Sequence, residues 1–181
     1  MQAQKKITEY FTVRRSTRRQ GKQIQEEKMA NLHKIIQTCS NEKFLEIYVC
    51  EEKGRGIKAK KCFAKGEFVV EYKGEIINSK IARVREEEYS LNENIGSYMY
   101  YFKHQGTLYC VDATSETKYK GRLINHSALR PNLRTRVIDF GSSFHLILVA
   151  KRDINIGEEL LYDYGERRTE VIAKNPWLLK S

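Results

Sequence analysis

Three short segments, far apart in the chain, carry residue types that could do chemistry. Residues 54–56 (Gly-Arg-Gly) precede a predicted strand, and glycines let a backbone approach a ligand closely. Residues 125–127 (Asn-His-Ser) follow an apolar pair and have no evident role in a core. Tyr162 and Tyr164 are two residues apart, so an extended segment would direct both phenols to one face. Taken singly, the glycine segment is typical of a β-turn and each tyrosine is typical of a core or rim residue.

The elements that must position these segments are mainly short strands. Aromatic and β-branched residues predict strands over 44–50, 62–77, 97–104, 107–114 and 144–152. Residues 79–91 are polar enough for a short surface helix, with Asn78 or Ser79 as its N-cap. The pattern therefore predicts a mainly β domain with short helices over residues 44–181.

A helix and a basic arm precede this domain. Apolar residues recur at helical spacing from Ile24 to Cys39, which predicts a helical linker over 23–43. Residues 1–22 lack apolar periodicity, so we expect a disordered arm. The net charge is +10, of which +6 lies in residues 1–23. Such an arm suggests binding to DNA phosphates or nucleosomes, or nuclear import, although a solvated tail without a partner fits equally well.

Composition narrows the class of protein further. No apolar run approaches the roughly 20 residues that span a bilayer, and the first residues lack the apolar stretch of a signal peptide. We therefore expect an intracellular protein without membrane contact. The cysteines form no Cys-x-x-Cys pair and have no histidine at close metal spacing, so we expect reduced thiols and no bound metal; they are Cys39, Cys50, Cys62 and Cys110.

Together, in this order, the segments resemble the SET-domain protein-lysine methyltransferases. The resemblance covers residues 47–177 and includes the stretch Glu71-Tyr72-x-Gly74, and it is specific because chance matches to separate motifs multiply. A narrower resemblance is to the nuclear enzymes that monomethylate the histone H4 tail; it rests on the stretches EYKGEII, SYMYYF, YCVDAT, GRLINHS, HLILVAKRDI, GEELLYDYG and NPWL. It implies the SET fold, in which a C-terminal segment threads under a loop as a pseudoknot and lies beside residues 125–126.

The resemblance also implies a site that uses S-adenosylmethionine. An aromatic channel would lower the pKa of the target amine by desolvation and align it for displacement. The implied catalytic residues are Tyr164, Tyr72 and Tyr162, and the implied substrate-binding residues are Tyr72, Ser97, Tyr98 and Tyr162. The implied cofactor-binding residues are Lys53, Gly54, Arg55, Gly56, Tyr98, Arg122, Asn125, His126, Tyr164 and Trp177.

Particular residues refine these expectations. Family members with tyrosine rather than phenylalanine at the position of Tyr162 tend to stop at one methyl, because the phenol can hold a water molecule there. Trp177 would stack on adenine, and plugging the core is its alternative role. No cysteine follows Gly165, so the tail rather than zinc should close the cofactor site. Ser97 stands where the narrower family usually has cysteine, and the stretch after Ser127 diverges.

A second resemblance lies at the N-terminus. Residues 4–11 resemble the box that docks on the replication sliding clamp (PCNA), and its defining positions are Gln4, Ile7, Tyr10 and Phe11. Thr8 with downstream arginines resembles the version that recruits a ubiquitin ligase as a degradation signal. That version usually has aspartate where this chain has Glu9, which favours docking over degradation. A fragment of amphipathic tail is the alternative.

These observations combine into one hypothesis with two rivals. The chain is expected to monomethylate a lysine of histone H4 on nucleosomes, in the nucleus and on chromosomes. One rival is a methyltransferase for a non-histone lysine. The other is a catalytically silent SET module that serves as an adaptor on chromatin or the clamp; the presence of every expected tyrosine argues against it.

Overall fold

Short strands joined by tight turns make up most of this computed structural model, which describes residues 17–51, 53–92, 95–96, 98–167 and 169–180. Two short 3-10 helices lie at Ser40–Phe44 and Gly121–Leu123. The remaining elements are α1 (Thr17–Thr38), β1 (Leu45–Cys50), β2 (Gly54–Ala59), β3 (Phe68–Glu71), β4 (Glu75–Asn78), α2 (Ser79–Ser90), β5 (Met99–His104), β6 (Thr107–Asp112), β7 (Asn125–His126), β8 (Leu133–Asp139), β9 (Phe144–Ala150), β10 (Leu161–Tyr162), α3 (Thr169–Lys174) and α4 (Trp177–Lys180).

The strands pair into four small sheets. Antiparallel pairs form β1–β2, the three-stranded sheet β3-β9-β8 and the three-stranded sheet β4-β6-β5, whereas β7 and β10 pair in parallel. Side chains from all of these sheets meet in one core, which includes Leu45, Ile57, Val111 and Leu148. Each large apolar side chain buried in this way contributes about 1.5–3 kcal/mol to stability. The mainly β architecture predicted from the sequence is confirmed.

Helix α1 rests on the outer face of the β3-β9-β8 sheet. Ile36 is buried against Ile147 and Val149 of β9, while the described side chains from residue 21 to residue 28 are exposed. The helix begins at Thr17, so residues 17–22, predicted to belong to the disordered arm, are helical. It ends at Thr38, and the short helical segment Ser40–Phe44 follows it, within and just beyond the predicted helical linker. Arginine, lysine and glutamine favour helices without needing an apolar face, which explains why apolar spacing missed this first turn.

Two local predictions have different outcomes. The surface helix is confirmed as α2, and the side chain of its N-cap Asn78 accepts hydrogen bonds from the amides of Lys80 and Ile81. The expected strand at the start of residues 62–77 is only an isolated bridge between Phe63 and Ile154. The segment there turns back after a single pairing.

The C-terminal segment passes beneath a loop of the chain. On one side, β10 pairs with β7, with Tyr162 opposite His126. On its other side, the amide of Asn132 donates to the carbonyl of Leu161, at 3.1 Å. Because His126 and Asn132 belong to the same loop, residues 126–132 must cross over β10. This is the threaded arrangement that the sequence predicted.

The Asn132 side chain closes this crossing. Its amide nitrogen donates to the carbonyl of Glu159 at 2.7 Å, and its oxygen accepts from the amide of Leu161 at 2.8 Å. Asn132 is only 2% exposed, so water cannot replace these partners.

Asn132→Ala should therefore destabilise the threaded crossing. Two buried backbone groups would lose their partners, which predicts a loss of roughly 2–5 kcal/mol in the free energy of unfolding. Urea unfolding followed by circular dichroism measures this loss. Asn31→Ala, an exposed change on α1, is the matched control. A loss below about 1 kcal/mol for Asn132→Ala would contradict the proposed importance of the crossing.

Candidate functional site

Four tyrosines from separate parts of the chain converge beside the threaded strand. The ring of Tyr162 lies 4.7 Å from that of Tyr164 and 6.2 Å from that of Tyr72, measured between centroids. Tyr100, on β5, lies 5.9 Å from Tyr72 and 6.0 Å from Tyr162. Tyr72 and Tyr162 are only 4% and 3% exposed. The aromatic faces therefore form a nearly dry cluster, which we call the tyrosine cluster.

Burial keeps the phenols of this cluster neutral. It raises the pKa of Tyr72, Tyr162 and Tyr164 above the usual value for tyrosine, and the neighbouring phenols raise the pKa of Tyr162 further. A neutral phenol both donates and accepts hydrogen bonds. The cluster can thus hold a neutral polar group without offering it a fixed charge.

Backbone carbonyls orient two of these hydroxyls. The Tyr72 hydroxyl donates to the carbonyl of Tyr98, and the Tyr164 hydroxyl donates to the carbonyl of Ile124, each at 3.0 Å. Because a hydroxyl has one proton, these bonds leave oxygen lone pairs free to accept from a bound group. The two carbonyls therefore fix where those lone pairs point.

His126 connects the cluster to the C-terminal helix. Its Nδ1 accepts from the amide of Tyr164 at 3.1 Å, so the ring proton lies on Nε2, which donates to the carbonyl of Leu178 at 2.8 Å. Leu178 is buried, which docks α4 against this part of the domain. Trp177 meets the His126 ring edge-on at 5.8 Å, yet it is 51% exposed. A broad aromatic face therefore remains open beside His126.

The glycine turn lies directly against Asn125. A Cβ atom on Gly56 would be 2.7 Å from the side-chain nitrogen of Asn125 and 2.6 Å from the ring of Tyr48, so a larger residue would displace one of these side chains. Gly54 has φ +70°, a conformation that L side chains rarely adopt. The Asn125 side chain donates to Glu159 at 3.2 Å. The side chains of Tyr48 and Asn125 therefore pack against Gly56, while the backbone at Gly54 faces open space.

A buried arginine ties this wall to the tyrosine cluster. The guanidinium of Arg122 donates to the carbonyls of Ala113 and Thr114 and to Glu116, at 2.6, 3.1 and 2.7 Å. It also lies 3.7 Å above the ring of Tyr98, whose carbonyl holds the Tyr72 hydroxyl. A guanidinium can combine planar hydrogen bonding with stacking in this way.

Glu116 joins this arginine to the glycine turn. Its carboxylate receives two hydrogen bonds from Arg55, at 2.8 and 3.0 Å, besides the one from Arg122. Hydrogen bonds from the two guanidiniums lower the pKa of Glu116 to about 2. The carboxylate is therefore charged at any pH at which the protein would normally be assayed.

The structure brings most of the predicted site residues together. One region is surrounded by the three predicted catalytic tyrosines together with Tyr98, Arg122, Asn125, His126 and Trp177. Arg55 contacts this region through Glu116. Lys53 is exposed at the start of the glycine turn. The other predicted residues lie outside the described part of the chain, namely Ser97, Gln4, Ile7, Tyr10 and Phe11.

Sequence reasoning missed three contributors to the site. Tyr100 is two residues beyond Tyr98 in a strand, so the alternation of side chains could have placed it on the same face. Glu116 lies in an irregular segment, and Glu159 is one of two adjacent glutamates. Nothing in the local sequence distinguishes Glu116 from an ordinary surface acid, whereas Glu159 lies in the motif stretch GEELLYDYG but was given no role.

The described residues contain neither a metal-binding cluster nor a membrane-spanning helix. No group of three or more metal-binding side chains is found there, and the four cysteines are unpaired. None of the described helices has the length and apolar character needed to cross a membrane.

Comparison with known proteins identifies the family to which this fold belongs. The SET domain family matches residues 54–165, which include the glycine turn, the Asn-His segment and the threaded strand. The chain belongs to the SET-domain family of protein-lysine methyltransferases. Members of this family generally use S-adenosylmethionine as the methyl donor.

The relatives of this SET-domain chain are named as lysine methyltransferases. Histone-lysine N-methyltransferase set-1 of Caenorhabditis elegans is 55% identical over 97% of this chain and 73% of its own length. N-lysine methyltransferase KMT5A-A of Xenopus laevis is 47% identical over 96% of this chain and 51% of its own length. The chain therefore spans about half the length of the Xenopus relative.

A solved structure supports the same assignment of fold. The crystal structure of CpSET8 from Cryptosporidium superposes with a TM-score of 0.63 and 45% sequence identity. The match covers 68% of this chain and 58% of that chain.

Proposed function

We propose that this SET-domain protein transfers one methyl group from S-adenosylmethionine to a lysine of the histone H4 tail. The observation that carries the proposal is the tyrosine cluster, in which Tyr72, Tyr162 and Tyr164 meet beside the threaded strand. Supporting evidence comes from relatives named histone-lysine methyltransferases.

The cluster provides what methylation of lysine requires. A lysine must lose its proton before its nitrogen can attack, and a nearly dry aromatic channel lowers the pKa of an amine by desolvation. Tyr72 and Tyr162 supply the walls of that channel. The lone pairs of Tyr164 accept from the neutral amine and hold it in line, which is catalysis by orientation. Tyr164 is therefore proposed as the main catalytic residue.

The methyl donor fits the wall formed by the glycine turn. Gly54 has open space where a Cβ would lie, Arg55 and Arg122 are ordered by Glu116, and Trp177 offers an exposed aromatic face. We assign Lys53, residues 54–56, Asn125 and His126 to the same cofactor site. When bound, S-adenosylmethionine supplies an electrophilic methyl group on a positively charged sulfur. The α4 helix, anchored by Leu178, closes this site.

The proposed limit of one methyl group depends on Tyr162. Its phenol is buried between Tyr72 and Tyr164, where a hydroxyl can hold a water molecule beside the target amine. That water occupies the space that a methylated amine would need in order to turn for a second transfer. A hydroxyl at this position therefore favours release after one methyl group.

The proposal extends to the setting in which the enzyme acts. Histone-lysine methylation implies a role on chromatin, and we propose a nuclear, chromosomal location on that basis. We also propose, from its charge, that the basic arm binds DNA phosphates. From their sequence resemblance, we propose that residues 4–11 dock on the sliding clamp and that the same box can recruit a ubiquitin ligase.

Transfer of labelled methyl groups to recombinant nucleosomes tests the substrate and the catalytic tyrosine. Label should enter histone H4 at a single tail lysine, and replacing that lysine with arginine should abolish incorporation. Tyr164→Phe should lower the rate about a hundredfold or more, because one oriented hydrogen-bonding group is lost.

Labelling of another protein but of no histone would replace the histone assignment with the non-histone rival. A protein that binds nucleosomes but labels no lysine would support the adaptor. Tyr109→Phe, in an aromatic contact away from the tyrosine cluster, is the matched control and should retain activity.

Tyr162→Phe should change the product rather than abolish the reaction. Without the phenol, the proposed water loses a hydrogen bond of about 1 kcal/mol, so the ratio of dimethyl to monomethyl product should rise about fivefold. Mass spectrometry of the H4 tail measures this ratio. If the ratio were unchanged while the rates of the variant and the parent chain were comparable, Tyr162 would not control the number of methyl groups transferred.

Glu116→Gln should weaken binding of the methyl donor. Removal of the bridging charge frees Arg55 and leaves the buried guanidinium of Arg122 without its carboxylate, so the Kd of S-adenosylmethionine should rise about tenfold. Calorimetry measures this Kd, and kinetics should show a higher KM for the donor with kcat nearly preserved. Glu51→Gln is an exposed control. Equal effects of both changes would contradict a positioning role for Glu116.

A further inference from the structure

Strand β8 carries arginines on a face that the proposed reaction does not use. Arg134 and Arg136 are exposed and two residues apart, so both project from the same side of the strand. Among the described residues, no carboxylate forms an ion pair with either guanidinium. Lys151, also exposed, follows β9 at the same end of the sheet, where its amide donates to the carbonyl of Asn132. We call Arg134, Arg136 and Lys151 the basic face.

The sheet register shows where this face lies. Arg134 is opposite Val149 and Arg136 is opposite Ile147, the two β9 residues that Ile36 of α1 covers. The arginines therefore flank α1 on the outer surface of the sheet. On the other side of β8, Thr135 accepts or donates a 2.9 Å hydrogen bond with the Tyr100 hydroxyl. One short strand thus has the tyrosine cluster on one face and cations on the other.

Nearby acidic groups do not neutralise these arginines. Asp139 points to the opposite side of β8, where it bonds His104 and Gln105. Glu71 shares the outer face but lies across β9, where it contacts His145 at 2.6 Å. Two adjacent, unpaired guanidiniums repel each other, and an anionic partner with more than one charge would offset that repulsion.

We propose that the basic face binds the phosphate backbone of duplex DNA beside the histone tail that enters the tyrosine cluster. Guanidinium groups match phosphate oxygens with paired hydrogen bonds, and arginines two strand residues apart can contact neighbouring phosphates. A histone tail leaves a particle wrapped in DNA, so phosphates are present where the substrate is. This inference rests on the proposed function for its setting, but DNA binding itself requires no methyl transfer.

Fluorescence anisotropy with a short labelled DNA duplex and the full chain tests the proposal. Arg134→Gln with Arg136→Gln should weaken binding about tenfold at about 0.1 M salt. It should also reduce the magnitude of the slope of log affinity against log salt by about 2, because binding releases about one counterion fewer for each phosphate contact that is lost. The matched control is Lys80→Gln with Arg83→Gln, which removes the same charge from the exposed surface of α2. The control should leave both quantities nearly unchanged.

Further measurements separate the possible outcomes. Both double variants should unfold at the temperature of the parent chain and methylate an isolated H4 tail peptide within about twofold of its rate. If the two double variants weakened DNA binding equally, the effect would depend only on net charge and not on the position of the charges, which would overturn the proposal. Lost nucleosome binding with unchanged DNA binding would also overturn it and indicate a protein partner. If the parent chain binds DNA through the basic face but methylates no peptide, the proposed function fails while this inference stands.

Discussion

Two strands of only two residues each determine where the reacting groups lie. β7 and β10 pair in parallel, and the loop between His126 and Asn132 crosses over β10. These strands are too short to be stable alone. The side chain of Asn132 and the ring of His126 therefore supply further hydrogen bonds to the backbone of β10 and its flanking residues. The same crossing that closes the fold brings Tyr162 and Tyr164 next to Asn125 and His126.

Electrostatics in the site follows from this geometry. Burial beside the crossing raises the pKa of the phenols and keeps them neutral, so they can orient a neutral polar group without offering it a fixed charge. The fixed charges lie on the other wall, where Glu116 bridges Arg55 and Arg122. The guanidinium of Arg122 stacks on the ring of Tyr98, which joins this wall to the tyrosine cluster. A dry aromatic wall and a charged wall can therefore serve two different ligands within one cleft.

Much of this arrangement was predictable from the sequence, for identifiable reasons. Strand alternation, the Asn78 cap and the order of the motifs depend on local composition, so β5, β6, β9 and α2 were expected. The role of Asn132 was not predictable, because its partners are backbone groups about 30 residues away. Glu116 was missed because one of its two arginine partners, Arg55, lies 61 residues away in the chain. β8 was missed because its segment diverges from the family that the motifs indicated.

The central claim is that the tyrosine cluster delivers one methyl group and no more. Intact-mass measurement of histone H4, after exhaustive reaction of nucleosomes with excess enzyme and S-adenosylmethionine, tests this claim most directly. The mass distribution should stop at a single added methyl group however long the reaction runs. Continued conversion to species with two or three added methyl groups would contradict it.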